Sequence, residues 1–174
     1  MTFLSKNMER IPASQTMAIT NLARELVASG EDVIGMSTGE PDFDTVSSAA
    51  EAGIEAIRAG QTKYTAGDGT PALKEAIKHK FLRDNELSYD LKQISVSTGG
   101  KQVIYNAMAA TLNPGDEVII PTPYWVSYPV MVAMCGGTPV FVKCHSKDGF
   151  ALNSEALEAA ITTKTKWLFL NFPN

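Results

Sequence analysis

From Leu91 onward the chain alternates short apolar runs with helix-like patterns, and that alternation constrains the fold more than any other feature. "QISVSTGG" reads as a strand ending on paired glycines, and "KQVIYNAMAATL" continues as a helix. "PGDEVIIPTPYW" is a turn, a strand and a Pro-rich loop, followed by "VSYPVMVAMCGG", a helix with a glycine stop. Pro129 predicts that this helix starts late or kinks. "TPVFVKC" is a further strand, "NSEALEAAI" a helix with Asn153 as its cap, and "KWLFLN" the last strand. Four strands are expected, near 94–98, 118–121, 139–143 and 167–171. Short strands separated by helices predict an α/β fold with a mostly parallel sheet.

The first third is organised differently. Residues 1–16 have weak periodicity and read as an irregular arm. Residues 17–29 place Ile19, Leu22, Leu26 and Val27 on one helical face, and Gly30 supplies a stop. "DVIGM" is expected as a short strand running into the loop "STGEPDFDT". Helical patterns recur at 46–59 and 71–86, where Pro71 can occupy the first helical position. The junction between arm plus first helix and the α/β body is expected near 45–50, which gives domains of 1–45 and 46–174.

Composition narrows the function. A chain of 174 residues can bury a real core, and its net charge of -4 argues against a nucleic-acid footprint. No apolar run approaches the roughly 18 residues of a membrane-spanning helix. The N-terminus has no signal-peptide core, so cytoplasmic residence is the expectation. Cys135 and Cys144 lack disulfide or metal-site spacing and are expected as buried small hydrophobes. His79 and His145 read as surface residues, and no Ser/His/Asp or metal constellation is visible.

Ligands of open α/β sheets bind beyond the carboxyl ends of the strands, which here carry "STGEPDFD", "STGGKQ", "PTPYWVSYP" and "NFPN". Gly99 and Gly100 stand between a strand and a helix, where backbone N–H groups and the helix dipole can hold a phosphate. The same pair can simply make a tight turn. Tyr124, Trp125 and Tyr128 can fill a core or offer a flat platform for a planar cofactor. Tyr64, in "KYTAGDGT", sits in a Gly-rich loop for which a solvated turn is the favoured reading.

Taken as an ordered set, "ASQT", "GEPDFDTV", "KYTAGDG", "GGKQ", "NPGDEV", "PYWVSYP" and "NFPN" resemble the N-terminal part of class I aminotransferases. These are pyridoxal-phosphate enzymes of fold type I, and the bacterial aspartate/prephenate branch is the nearest pattern. The likeness runs over essentially the whole chain. It implies a three-layer α/β/α large domain with a mixed, mostly parallel sheet, of which these residues form an incomplete part. It also implies a homodimer that moves an amino group from a dicarboxylic amino acid to a 2-oxo acid.

Residue roles follow from the resemblance position by position. Gly99, Gly100 and Lys101 would meet the cofactor phosphate, Trp125 would stack on its ring and help place the substrate, and Tyr64 would reach the phosphate of the neighbouring subunit. Gly39 would bind the substrate α-carboxylate through its N–H, and Lys101 and Thr16 would lie near the distal carboxylate. Val46 and Ala13 replace prolines of the family pattern, and Pro12 stands where close relatives often have Lys, which counts against prephenate-type activity. Asn171 and Asn174 fit the first and fourth positions of "NxPxNP". The family's Schiff-base lysine, pyridinium aspartate and carboxylate-clamping arginine match no position up to Asn174. The chain is therefore expected to be a truncated, inactive half, with no catalytic residue of its own. The alternatives are a non-catalytic remnant or dimerisation module, or a lyase of the same fold.

Overall fold

The structure is a computed structural model that describes residues 3–37, 39 and 41–172. Thr38 and Glu40 of the "STGEPDFD" loop, and Asn174, matched above to the asparagine loop, lie outside the described residues. In chain order the elements are α1 (Lys6–Glu9), α2 (Gln15–Ala28), α3 (Ser47–Arg58), α4 (Pro71–Asn85), α5 (Gly100–Thr111), β1 (Glu117–Thr122), α6 (Ser127–Met134), β2 (Thr138–Lys143), α7 (Ser154–Ala160) and β3 (Thr165–Leu168). They form two compact units, one of Pro12–Ala66 and one of Met1–Ile11 with Gly67–Asn174.

In the smaller unit, Ser14 caps α2, its side chain accepting from the Met17 N–H at 3.3 Å. Gly30 follows the helix with φ +93°, the left-handed turn expected of it. Thr20 Oγ1 bonds the Ser37 hydroxyl at 3.0 Å and so ties the helix to the following loop. The strand expected at "DVIGM" is not formed: residues 32–36 have no strand partner among the described residues. An apolar run becomes a strand only when a second backbone takes up its N–H and C=O groups.

The larger unit is built on a three-stranded parallel sheet of order β2-β1-β3. β1 is central and carries the apolar run expected of a strand covered on both faces. Val118, Ile119 and Ile120 are at most 1% exposed. Val118 and Ile120 share one face with Met108 of α5, with Leu112 just after it, and with Tyr128, Met131 and Val132 of α6. Ile119 points to the opposite face. The chain steps from β1 to its neighbour β2, then back across β1 to β3. Right-handed crossovers in opposite directions place α6 and α7 on opposite faces, giving three layers.

Three local expectations are corrected. Residues 94–98 form no strand among the described residues, and Val96 N–H is bonded to Asp68 C=O at 3.0 Å. The last strand closes at Leu168 rather than near 171, although Phe169 N–H still reaches Ile119 C=O at 2.9 Å. Pro129 neither delays nor breaks α6, because it falls in the first turn, where N–H groups have no intrahelical acceptor. The N-terminal arm is also more ordered than its periodicity suggests. It holds the single turn α1, and Arg10 donates to Ala133 C=O at 3.3 Å and Gly137 C=O at 2.7 Å.

Asp116 fastens the start of the sheet. Its carboxylate accepts from Asn113 N–H at 2.7 Å and from Lys166 Nζ at 3.1 Å, and its C=O accepts from Thr138 N–H at 2.8 Å. The Asn113 N–H, then Lys166, hold its carboxyl below the usual carboxylate range. A proton thus binds the folded state more weakly than the unfolded chain, so this stabilisation is present above about pH 4 and lost as pH falls below it. Asp116→Asn is expected to shallow the acid limb of an unfolding-versus-pH curve while leaving its shape near neutrality unchanged. Ile120→Ala should lower unfolding free energy by about 2–5 kcal/mol in denaturant titration, as deletion of a buried β1 side chain leaves a cavity.

Candidate functional site

Opposite crossovers open a crevice where β1 and β3 end, the position at which doubly wound sheets take ligands. A cavity of about 260 Å³ lies there, lined by Ile120, Tyr124, Tyr128, Leu152, Phe169 and Phe172 among others. Its walls are aromatic and apolar. Tyr128 stacks on Phe169 with ring centroids 4.7 Å apart, and Tyr124 on Phe141 at 5.1 Å. This surface shapes a planar ligand's surroundings but supplies little charge.

The charged side of the site is the N-terminus of α5. Gly99 is the N-cap with φ 85° and ψ 162°, a conformation nearly confined to glycine. Gly100 and Lys101 follow in the first turn, where backbone donors lack intrahelical acceptors. A Cβ built on either glycine meets no atom within 4 Å, so the space over the turn is open. The first turn of α5 holds no acidic residue and carries Lys101 in addition to the positive end of the helix dipole. Two like charges there are unfavourable unless an anion joins them. Gln102 closes the turn from behind, its Oε1 accepting the Thr98 N–H at 2.6 Å.

Lys101 Nζ lies 5.1 Å from the centre of the Trp125 ring, a cation–π contact. Trp125 meets Tyr128 edge to face at 5.4 Å and remains 38% exposed, so part of the indole is open to solvent. The structure therefore brings Gly99, Gly100, Lys101 and Trp125 into one neighbourhood. Thr16, Gly39 and Tyr64 belong to the smaller unit. Thr16 is half-buried in α2, its C=O accepting from Thr20 Oγ1 at 2.8 Å. Gly39 is exposed with open space at its Cα, and Tyr64 is fully exposed.

Sequence reasoning overlooked Gln102 as a brace and the ion pair of Lys74 with Asp68, the latter joining the Gly-rich turn to α4. The glutamine three residues beyond the N-cap was the available signal for the first. The second joins residues six apart through a turn and leaves no periodic trace. Cys144 is buried as expected, whereas Cys135 is half-buried, with burial raising its thiol pKa. Among the described residues, no group of three His, Cys, Asp or Glu side chains could hold a metal, and no helix is long and apolar enough to cross a membrane.

The two glycines are predicted to respond differently to alanine. Gly99→Ala forces a side chain into a glycine conformation and should cost about 1–3 kcal/mol in chemical denaturation. Gly100→Ala, within the helix and facing open space, should be neutral or raise stability by up to about 1 kcal/mol.

Comparison with known proteins identifies the family. The family described as aminotransferase class I and II matches residues 31–174. The aspartate/prephenate aminotransferase of Cereibacter sphaeroides is 59% identical over 174 residues, which is all of this chain and 44% of that protein. The crystal structure of aspartate aminotransferase from Rhizobium meliloti superposes with a TM-score of 0.95 at 48% identity, covering 99% of this chain and 43% of that one. Aspartate aminotransferase from Thermus thermophilus, solved with maleate, gives 0.94 at 43% identity, covering 100% and 46%. The chain thus spans under half the length of the relatives it matches. The fold agrees with these matches, and the chain belongs to the class I and II aminotransferase family.

Proposed function

We propose that these residues form the phosphate- and ring-binding part of a pyridoxal-phosphate aminotransferase of the aspartate type. The observation that carries this reading is the joint placement of the open glycine turn, Lys101 and the partly exposed Trp125. These groups fit the cofactor. A phosphate needs convergent N–H donors without side chains in the way, and an aromatic ring needs a flat partner beside them. When bound, pyridoxal phosphate supplies the electron-withdrawing ring that makes amino-group transfer possible.

The chain's own residues would bind and orient. The N–H groups of Gly100 and Lys101 hold the phosphate, and the α5 dipole favours its charge. Trp125 stacks against the ring, and the apolar wall formed by Tyr124, Tyr128 and Phe169 keeps water from that side. Lys101 would turn from the indole toward the distal carboxylate of a dicarboxylic substrate, a role that the family resemblance also gives to Thr16. A relative solved with maleate, itself a dicarboxylate, supports that preference. Gly39 would donate its N–H to the α-carboxylate, and Tyr64 would serve the partner subunit of a homodimer. The division into 1–45 and 46–174 belongs to the same proposal.

Lys101 is assigned to binding because its loop is on the phosphate side, so residues 1–174 by themselves are expected to be inactive. Treatment with pyridoxal phosphate and borohydride, followed by peptide mass mapping, should leave Lys101 without a stoichiometric adduct. A reduced adduct on Lys101 would contradict the assignment. Trp125→Ala should weaken pyridoxal phosphate binding about three- to tenfold in equilibrium titration, with Trp125→Phe falling between the two. Unchanged affinity in Trp125→Ala removes the stacking role.

A further inference from the structure

Residues 94–98 lead into the glycine turn, and the turn that precedes α4 is bonded to them. Asp68 C=O accepts the Val96 N–H at 3.0 Å. Gly69 has φ +104°, and a Cβ there would stand 2.8 Å from Val96 Cβ and Cγ2. Only glycine allows so close an approach. Lys74, in the first turns of α4, sends its ammonium back to the Asp68 carboxylate.

Lys74 is 7% exposed and the sole buried charged residue among those described. An apolar side chain of similar volume would pack as well without the cost of desolvating an ammonium. What the lysine adds is direction: it hooks the turn at Asp68 and thereby holds the carbonyl that receives Val96. Gly99 follows three residues later.

We propose that Asp68 and Lys74, seated on Gly69, are positioning residues of the phosphate site, acting through Val96 on the glycine turn. This inference rests on the reading of that turn as a phosphate cradle. The clasp touches neither cofactor nor substrate. Its effect is to keep the N–H groups of Gly100 and Lys101 converged before the anion arrives, so that binding does not have to order them.

The test compares pyridoxal 5′-phosphate with pyridoxal, which lacks the phosphate, in the full protein. Lys74→Met should weaken pyridoxal 5′-phosphate roughly tenfold and change pyridoxal by less than about twofold, and Lys74→Arg should restore the difference. Amide hydrogen exchange at residues 99–102, without ligand, should quicken by about tenfold in Lys74→Met and return in Lys74→Arg. Should Lys74→Met fail to fold, Asp68→Asn carries the same comparison, since the Asp68 side chain is half-exposed. Equal weakening of both ligands, or a lowered unfolding midpoint with the ligand ratio and exchange unchanged, overturns the positioning role. If the unmodified protein binds the two ligands equally, the phosphate cradle fails and the clasp's role falls with it.

Discussion

Burial of β1 on both faces and both edges is the constraint from which the larger unit follows. Val118, Ile119 and Ile120 are withdrawn from water, so every N–H and C=O of the strand needs a backbone partner. The parallel neighbours β2 and β3 provide them. Parallel neighbours cannot be joined by tight turns, so helices must cross over, and the apolar faces of β1 decide where those helices lie. Because the chain visits β2 first and β3 second, the crossovers diverge. The crevice at the strand ends is a consequence of that divergence.

The charged half of the site has a different origin. α5 precedes β1, packs on it through Met108 and Leu112, and so fixes where its own N-terminus emerges. Burial of one helix face sets the axis, and the axis sets the direction of the dipole. Gly99 then lets the chain enter the helix at an angle that other residues resist. Hydrophobic packing thus aims a polar device, with Gln102 and the Asp68 turn trimming the entry.

Helices were the most legible part of the sequence. α2, α3, α4, α5 and α7 lie where periodicity, Pro71, Gly30 and Asn153 place them, because each signal acts within a few residues. Strands were less so. "EVIIPT" and "TPVFVK" pair as expected, but "DVIGM" and residues 94–98 are equally strand-like and pair with nothing described. Strand formation depends on a second segment that local composition does not name. The same reason separates the site residues. Gly99, Gly100 and Trp125 stand out because their residue types are unusual in their positions. Arg10, Asp68 and Lys74 act over distance or through turns, and ordinary charged residues carry no mark of it.

Lys101 shows how the two halves of the site depend on each other. A lysine in the first turn of a helix adds positive charge to an end that is already positive, and no acidic residue in that turn offsets it. Its ammonium lies instead over the Trp125 ring, whose π face attracts a cation. A planar ligand stacking on the indole would compete with that contact, and an anion over the glycine turn would relieve the charge that makes it useful. Binding one phosphorylated ring would do both at once. Lys101 would then be released from the indole at the moment its charge is needed by a second, carboxylate-bearing ligand. On that proposal electrostatics would set the order, assigning the dianion to the helix end and the Lys101 ammonium to the carboxylate that follows.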